Sequence, residues 1–291
     1  MSILTVHHST IYRYSEPVGL GEHRMMFRPR ESYDLRLIQT ELEITPRPAA
    51  VRWLHDPFDN SVAVVSFEGN TTELRFESKV TLEHVETSLP EYPLEDYART
   101  YPFRYADEDY PNIVSGLERR YAGASVPEWA LQFLDPAEKT LTMKVLSTMS
   151  IGIREQFHYN IRSEKGVQTP EDTLRSKRGS CRDFAVLMME AARSLGIAAR
   201  FVSGYIFVPN SSGLAGGGAT HAWMQAYLPG AGWIDFCPTN GIIGNRNLIR
   251  VAVAWTHDQV LPLWGTYSGS AEAFEGMDVS VEVTEVAADR A

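Results

Sequence analysis

The sequence predicts an α+β protein: a β-rich N-terminal domain, then a core that pairs a buried helix with an antiparallel hairpin. Three observations predict it. Polar and apolar residues alternate through the first third of the chain, as half-buried strands require. A run of apolar residues at helical spacing begins just after Gly179. Two short strands joined by Pro229-Gly230-Ala231-Gly232 follow it.

Taken in order, Ile3 to Tyr14, Leu35 to Ile44 and Leu74 to Val85 alternate. Glu16-Pro17, Arg28-Pro29-Arg30, Asp56 to Asn60 and Glu68-Gly69-Asn70 punctuate them as turns. Short strands at this spacing predict a small sandwich or barrel, assigned to residues 1–95. His7, His8, His23, His55 and His84 are scattered through it and read as ordinary surface or core histidines. This domain reads as a support or specificity unit.

Residues 96–135 read as a linker. The stretch from Tyr92 to Pro111 is rich in proline, tyrosine and acid, and its aromatics suit packing across a domain seam. The core is assigned to 136–286, with 287–291 a frayed tail. Its first element is a helix from Pro136 to Phe157, opened by Asp135-Pro136 as N-cap and first helical residue. Leu141, Val145, Leu146, Met149, Ile153 and Phe157 give that helix its apolar face.

The stretch Gly179-Ser180-Cys181-Arg182-Asp183-Phe184 leads into a second helix that ends at Gly196. Ser180 reads as its N-cap, with Asp183 placed to reciprocate. Cys181 therefore sits on the first turn. Unpaired amides there favour a thiolate and can donate to a developing oxyanion. A strand from Ile197 to Val208 follows. The loop from Pro209 to Ala219, with Gly213, Gly216, Gly217 and Gly218, is either a tolerant surface loop or a substrate flap. His221 opens the next strand, sharing a face with Trp223, Gln225 and Tyr227, and the hairpin returns through Trp233 to Asn240. A histidine on one strand can then be oriented by an acid on the other.

Hydrophobic residues make up 44% and charged residues 22% of the 291, which suits a soluble globular chain. The net charge of −10 argues against nucleic-acid or anionic-membrane partners, which need basic patches. Two cysteines cannot staple a scaffold. The opening residues show no basic and apolar leader, and no stretch is long and apolar enough to span a bilayer. A cytoplasmic protein is expected. No phosphate loop, dinucleotide fingerprint or metalloprotease helix is present, so no cofactor or metal is expected.

Residues 179–240 resemble the catalytic core of the transglutaminase-like superfamily. The resemblance rests on Gly-Ser-Cys-Arg-Asp-Phe-Ala (179–185), Leu-Gly-Ile-Ala-Ala-Arg-Phe-Val-Ser-Gly-Tyr (195–205), His-Ala-Trp (221–223) and Gly-Trp-Ile-Asp-Phe-Cys-Pro-Thr-Asn (232–240). The first third of the chain also resembles the β-rich region that precedes this core in a bacterial subgroup. The resemblance implies a papain-like fold, with the cysteine helix packed on an antiparallel sheet. It implies Cys181 as nucleophile and His221 as general base and acid, acting on a protein or peptide substrate.

One position departs from the family pattern. The acid that usually precedes Pro-Thr is replaced by Cys237. Asp235, two residues earlier and on the same face, serves as third member if register or twist brings it to the imidazole. Asn240 is an amide substitute of the papain kind, or a turn residue. Cys237 has three readings: a buried apolar thiol, a redox partner of Cys181, or part of a Cys181-His221-Cys237 zinc site. Tyr159 is a candidate oxyanion donor or a packed aromatic, Trp223 a shield beside His221, and Arg182-Asp183 a local ion pair. Three functions follow: acyl transfer on amides, with hydrolysis ahead of transglutamination because water is always present; a binding scaffold that has lost its triad; or, behind these, a redox or metal-binding protein.

Overall fold

The alternation of the opening residues becomes one long strand, β1 (Ser2–Met25), in the computed structural model, which describes residues 2–86, 92–162, 166–209 and 213–286. Leu4, Val6, His8 and Thr10 are buried and their neighbours are not, as one core-facing side requires. With β2 (Leu35–Thr45), β3 (Ala50–His55), β4 (Ser61–Ser66) and β5 (Asn70–His84) it forms an antiparallel sheet in the order β2-β5-β1-β4-β3. The Glu16-Pro17 turn does not end the strand. The pairing register shifts between Arg13 and Val18, and a proline is tolerated where the ladder breaks.

Helices α1 (Tyr110–Leu117) and α2 (Ser125–Leu131) occupy the segment expected to be a linker. Val126, Trp129 and Ala130 join the main core, so 96–135 is part of the packed unit rather than a connector. Helix α3 (Thr142–Gln156) starts later than the expected Pro136. Asp135 explains the delay: its carboxylate accepts the Ala137 N–H and its own N–H donates to Thr140 Oγ1, which folds the intervening residues into a turn.

After α4 (Pro170–Ser176) comes α5 (Cys181–Ser194), buried over almost its whole circumference. It packs on a second antiparallel sheet of β6 (Ala199–Ile206), β7 (His221–Leu228), β8 (Gly232–Cys237) and β9 (Leu248–Ala254). Phe184, Leu187, Met188 and Ala191 meet Phe201, Met224, Ala226 and Phe236 there. Two charged residues on the helix are buried with it. Glu190 pairs with Arg193 at 3.1 Å and accepts the N–H groups of Arg120 and Tyr121. Arg193 donates to the carbonyls of Gly116, Ala199 and Trp255. This full pairing is what makes burial of the two charges tolerable.

The last strands, β10 (Leu263–Ser268) and β11 (Phe274–Glu285), fall within the 136–286 span assigned to the core. Instead they return to the first sheet. Strand β11 runs antiparallel along β1 from Leu4↔Glu285 to Tyr14↔Phe274, satisfying an edge that would otherwise be unpaired. The tail expected at 287–291 lies outside the described residues. Among the described residues, no helix is long and apolar enough to cross a membrane.

The two sheets meet through side chains that cap strand edges. The Asn60 amide donates to the Val253 carbonyl at 2.8 Å and accepts the Val253 N–H at 2.9 Å, covering the outer edge of β9. His8 on β1 reaches Tyr205 on β6, with Nδ1 2.9 Å from the hydroxyl, while Nε2 contacts Thr10. Burial pushes the His8 pKa down from 6.5 to about 3. The folded protein therefore keeps His8 neutral while the unfolded chain takes up a proton below pH 6.5, so stability is complete above that pH and falls as acid is added toward pH 3. Between pH 6.5 and 5 this one residue should remove roughly 2 kcal/mol, at ~1.4 kcal/mol per pH unit. Urea denaturation at the two pH values measures it, and a His8→Gln variant should lose that part of the pH slope; an unchanged slope would show that the histidine is not the acid-sensitive group.

Candidate active site

The cysteine lands where the sequence places it, at the first residue of α5. Asp183 carries out its capping role, accepting the Ser180 N–H at 2.7 Å and the Ser180 hydroxyl at 2.9 Å. Its ion pair is with Arg162 at 2.9 Å, not with the adjacent Arg182, and it also accepts the Gln168 N–H. Asp183 thus anchors the helix start to the preceding segment. A two-residue parallel pairing, His158↔Arg178 and Tyr159↔Gly179, brings the Tyr159 side chain beside Cys181, where burial and the sulfur's negative charge when ionised oppose loss of the phenol proton.

The β7 strand supplies the other half. The N–H of Ala222, the residue after His221, is near enough to Cys181 to favour its thiolate, so helix tip and strand start converge. His221 Nε2 lies 3.2 Å from Cys237 Sγ. His221 Nδ1 is buried with no hydrogen-bond partner. Trp223 stacks beside the imidazole, ring centres 5.9 Å apart, and is fully buried. Cys181, His221 and Cys237 are 6%, 1% and 0% exposed, so the whole group is closed to solvent.

Asp235 is not brought to the imidazole. Antiparallel pairing sets it opposite Gln225, four residues along β7 from His221. One carboxylate oxygen accepts the Trp223 indole N–H at 2.6 Å and the Gln225 amide at 2.8 Å; the other meets Arg250 at 3.0 Å. The Trp223 ring stands between the acid and the histidine's neighbourhood. Arg250 in turn binds Asp34 at 2.5 Å, so Asp235 belongs to a charge network that ties the core to the first sheet. Arg250 is the residue the sequence does not single out, although a lone arginine inside Leu-Ile-Arg-Val-Ala-Val-Ala signals a buried carboxylate nearby.

Asn240 acts on the glycine loop instead. Its amide group makes a reciprocal pair with Ala215, accepting the N–H at 2.8 Å and donating to the carbonyl at 2.9 Å, and it also approaches Cys237 Sγ at 3.7 Å. Gly218 then accepts the Val281 N–H from β11 at 3.0 Å. Between these two fastenings Gly216 lies on the imidazole. A methyl group there would come within 2.4 Å of His221 Nδ1, and φ of +94° already favours glycine. The described part of the loop is a strap across the site rather than a free surface turn.

The electrostatics follow from this enclosure. Burial pushes the Cys181 thiol up, opposed by the Ala222 N–H and the Arg182 charge. Burial lowers His221 to about 4 and raises Cys237 to about 12. With no carboxylate at Nε2 to stabilise an imidazolium, the closed site holds a neutral thiol and a neutral ring. For Nδ1 to carry the free lone pair, Nε2 must carry the proton and donate it to the Cys237 sulfur, a weak acceptor. No group of three or more histidine, cysteine or acidic side chains among the described residues is arranged to hold a metal ion. Both cysteines are free thiols.

Comparison with known proteins agrees with this architecture. The bacterial transglutaminase-like N-terminal region matches residues 4–83, and the transglutaminase-like superfamily core matches residues 129–238. An uncharacterized protein of Mycobacterium leprae is 28% identical, over 98% of this chain and 99% of its own length. One from Mycobacterium bovis is 27% identical, over 96% of this chain and 91% of its own. A crystal structure from Cytophaga hutchinsonii, of a protein provisionally named a cysteine protease, superposes with a TM-score of 0.72 at 19% identity, covering 99% of this chain and 92% of that one. The thiol at a helix tip, the histidine at a strand start and the sheet beneath them thus sit in a chain whose residues 129–238 match the transglutaminase-like superfamily core, behind a match to the bacterial transglutaminase-like N-terminal region.

Proposed function

We propose that this protein is a thiol-dependent amide or peptide hydrolase, with Cys181 as nucleophile and His221 as its base. The observation that carries the reading is the buried, unpartnered Nδ1 of His221, on a residue whose neighbour Ala222 turns its N–H toward Cys181 closely enough to favour the thiolate. The thiol proton passes to Nδ1 and the sulfur attacks the carbonyl carbon. The Cys181 N–H at the helix start and the Tyr159 hydroxyl are positioned to receive the oxyanion. The imidazolium returns its proton to the leaving amine, and water, deprotonated by the same nitrogen, cleaves the thioester to free acid. A protein or peptide is the substrate class, and water is preferred to an amine acceptor because no group at the site marks an amine.

The strap carrying Gly216 must move before a substrate reaches the sulfur. Releasing Ala215 by Asn240→Ala should therefore speed alkylation of Cys181 by iodoacetamide several-fold, without moving the pH midpoint of that reaction, because access changes and ionisation does not. Peptide mass analysis separates Cys181 from Cys237. A midpoint shift with no gain in rate would assign Asn240 to the imidazole instead of the loop.

One observation favours a second reading, a binding scaffold with an impaired site: a neutral thiol stands where a carboxylate would stabilise the imidazolium. The wild-type protein should still alkylate at Cys181 at pH 7 about tenfold faster than a His221→Ala variant, below the ~10²–10⁴-fold of full general base assistance. Equal rates would favour the scaffold. Cys237→Asp should raise the His221 pKa and lower the Cys181 pKa, moving the alkylation midpoint down by about 1 unit or more. No movement would mean that position 237 does not control the ring.

Asp235→Ala separates structure from catalysis. It deprives buried Arg250 of one partner and should cost about 3 kcal/mol or more in urea denaturation. The Cys181 alkylation rate of the folded variant should stay within twofold of wild type. A fall matching His221→Ala would restore Asp235 to the triad.

A further inference from the structure

At the end of β7 remote from His221, a cavity of about 410 Å³ opens between the first sheet's Pro57–Asp59 turn, α1 and the core sheet. Phe58, Trp233 and Trp255 line it together with Arg200 of β6. The guanidinium stacks on Trp233, 4.1 Å from the ring centre, and its Nε–H donates to Gln225 Oε1 at 2.8 Å. Among the described residues neither of its Nη groups meets a hydrogen-bond acceptor, and no carboxylate comes within ion-pair distance. The other two arginines of this seam are better provided. Arg250 holds two carboxylates, and Arg30 donates to the Phe58 carbonyl and to Asn60.

We propose that this cavity is a binding site for a single carboxylate carried on an aromatic body, with Arg200 as its anchor. A guanidinium held flat on an indole, with one edge tied by Gln225 and the other free, presents two parallel N–H donors that match the two oxygens of a carboxylate. Half-burial strengthens such a pair relative to one in water, and lowers the Arg200 pKa to about 9 while the site is empty of an anion partner from the protein. The aromatic walls favour a flat apolar body. The charges at the rim select the anion: Asp59 and Asp109 line the same cavity, and they repel a dianion such as phosphate more than a monoanion. Gln225 lies four residues from His221 on β7, roughly 13 Å at ~3.3 Å per residue, with buried Trp223 between them. This site is therefore separate from the thiol.

The test uses the full chain with N-acetylphenylalanine as probe and its carboxamide as control. Indole N–H signals of Trp233 and Trp255, assigned from Trp233→Phe and Trp255→Phe variants, are followed by NMR during titration. The acid should shift both signals saturably at millimolar concentration, at least tenfold more tightly than the amide or inorganic phosphate. Arg200→Gln should erase the preference for acid over amide. Equal responses to acid and amide, tighter binding of phosphate, or an unchanged preference in Arg200→Gln would each overturn the proposal. The comparison of acid with amide needs only the wild-type protein, so it stands even if the variant folds poorly.

Discussion

The structure depends on a helix that is enclosed on nearly every side. An enclosed helix must satisfy its polar ends and its charged side chains from within the protein, because water cannot. Each such obligation in α5 recruits a different part of the chain. Asp183 fixes Ser180 and Arg162 at one end, and Glu190 with Arg193 gathers α1, β6 and the segment after β9 at the other. The position of the Cys181 sulfur is the product of these attachments. A small displacement would break several buried hydrogen bonds at once, so the thiol is held by satisfied polarity as much as by apolar contact.

That enclosure has an electrostatic consequence at the site itself. Burial favours the uncharged form of thiol and imidazole alike, and a carboxylate partner would offset it. Cys237 does not, since its own sulfur stays protonated. The Cys237 contact still orients the ring, leaving Nδ1 free for proton transfer, but it leaves the ion pair unsupported in the closed state. Control of access lies with Asn240, which holds Ala215 of the strap, and control of charge with Cys237, the partner of the imidazole.

How much of this is legible in the sequence depends on the range of the interactions involved. The helix start at Ser180-Cys181 is local: a cap, a reciprocating acid and a helical apolar run lie within a few residues of one another. The hairpin that brings β7 and β8 together is local too. The partner of Asp235 is not. It is fixed by which residue faces it across two strands and by an arginine arriving from β9, and a period-two pattern identifies a face without identifying a neighbour. The destination of β10 and β11 is likewise hidden, because alternation shows that a segment is a strand and not which sheet it joins. Pro17 misleads for a related reason. Proline marks a break in the ladder, and here the chain continues beyond the break as the same strand.

The return of β11 to β1 reaches beyond the folded state. The opening strand finds one of its two neighbours only in a segment made much later, since Leu4 faces Glu285. During synthesis the nascent opening strand therefore carries an unclosed edge, and such distant pairings are slow to form because a very large loop must close first. A fragment cut to the superfamily core alone would also leave behind Asn60, which covers Val253 on the outer strand of the second sheet. Excising the thiol-bearing half on its own should therefore give a sticky, self-associating product rather than a minimal enzyme.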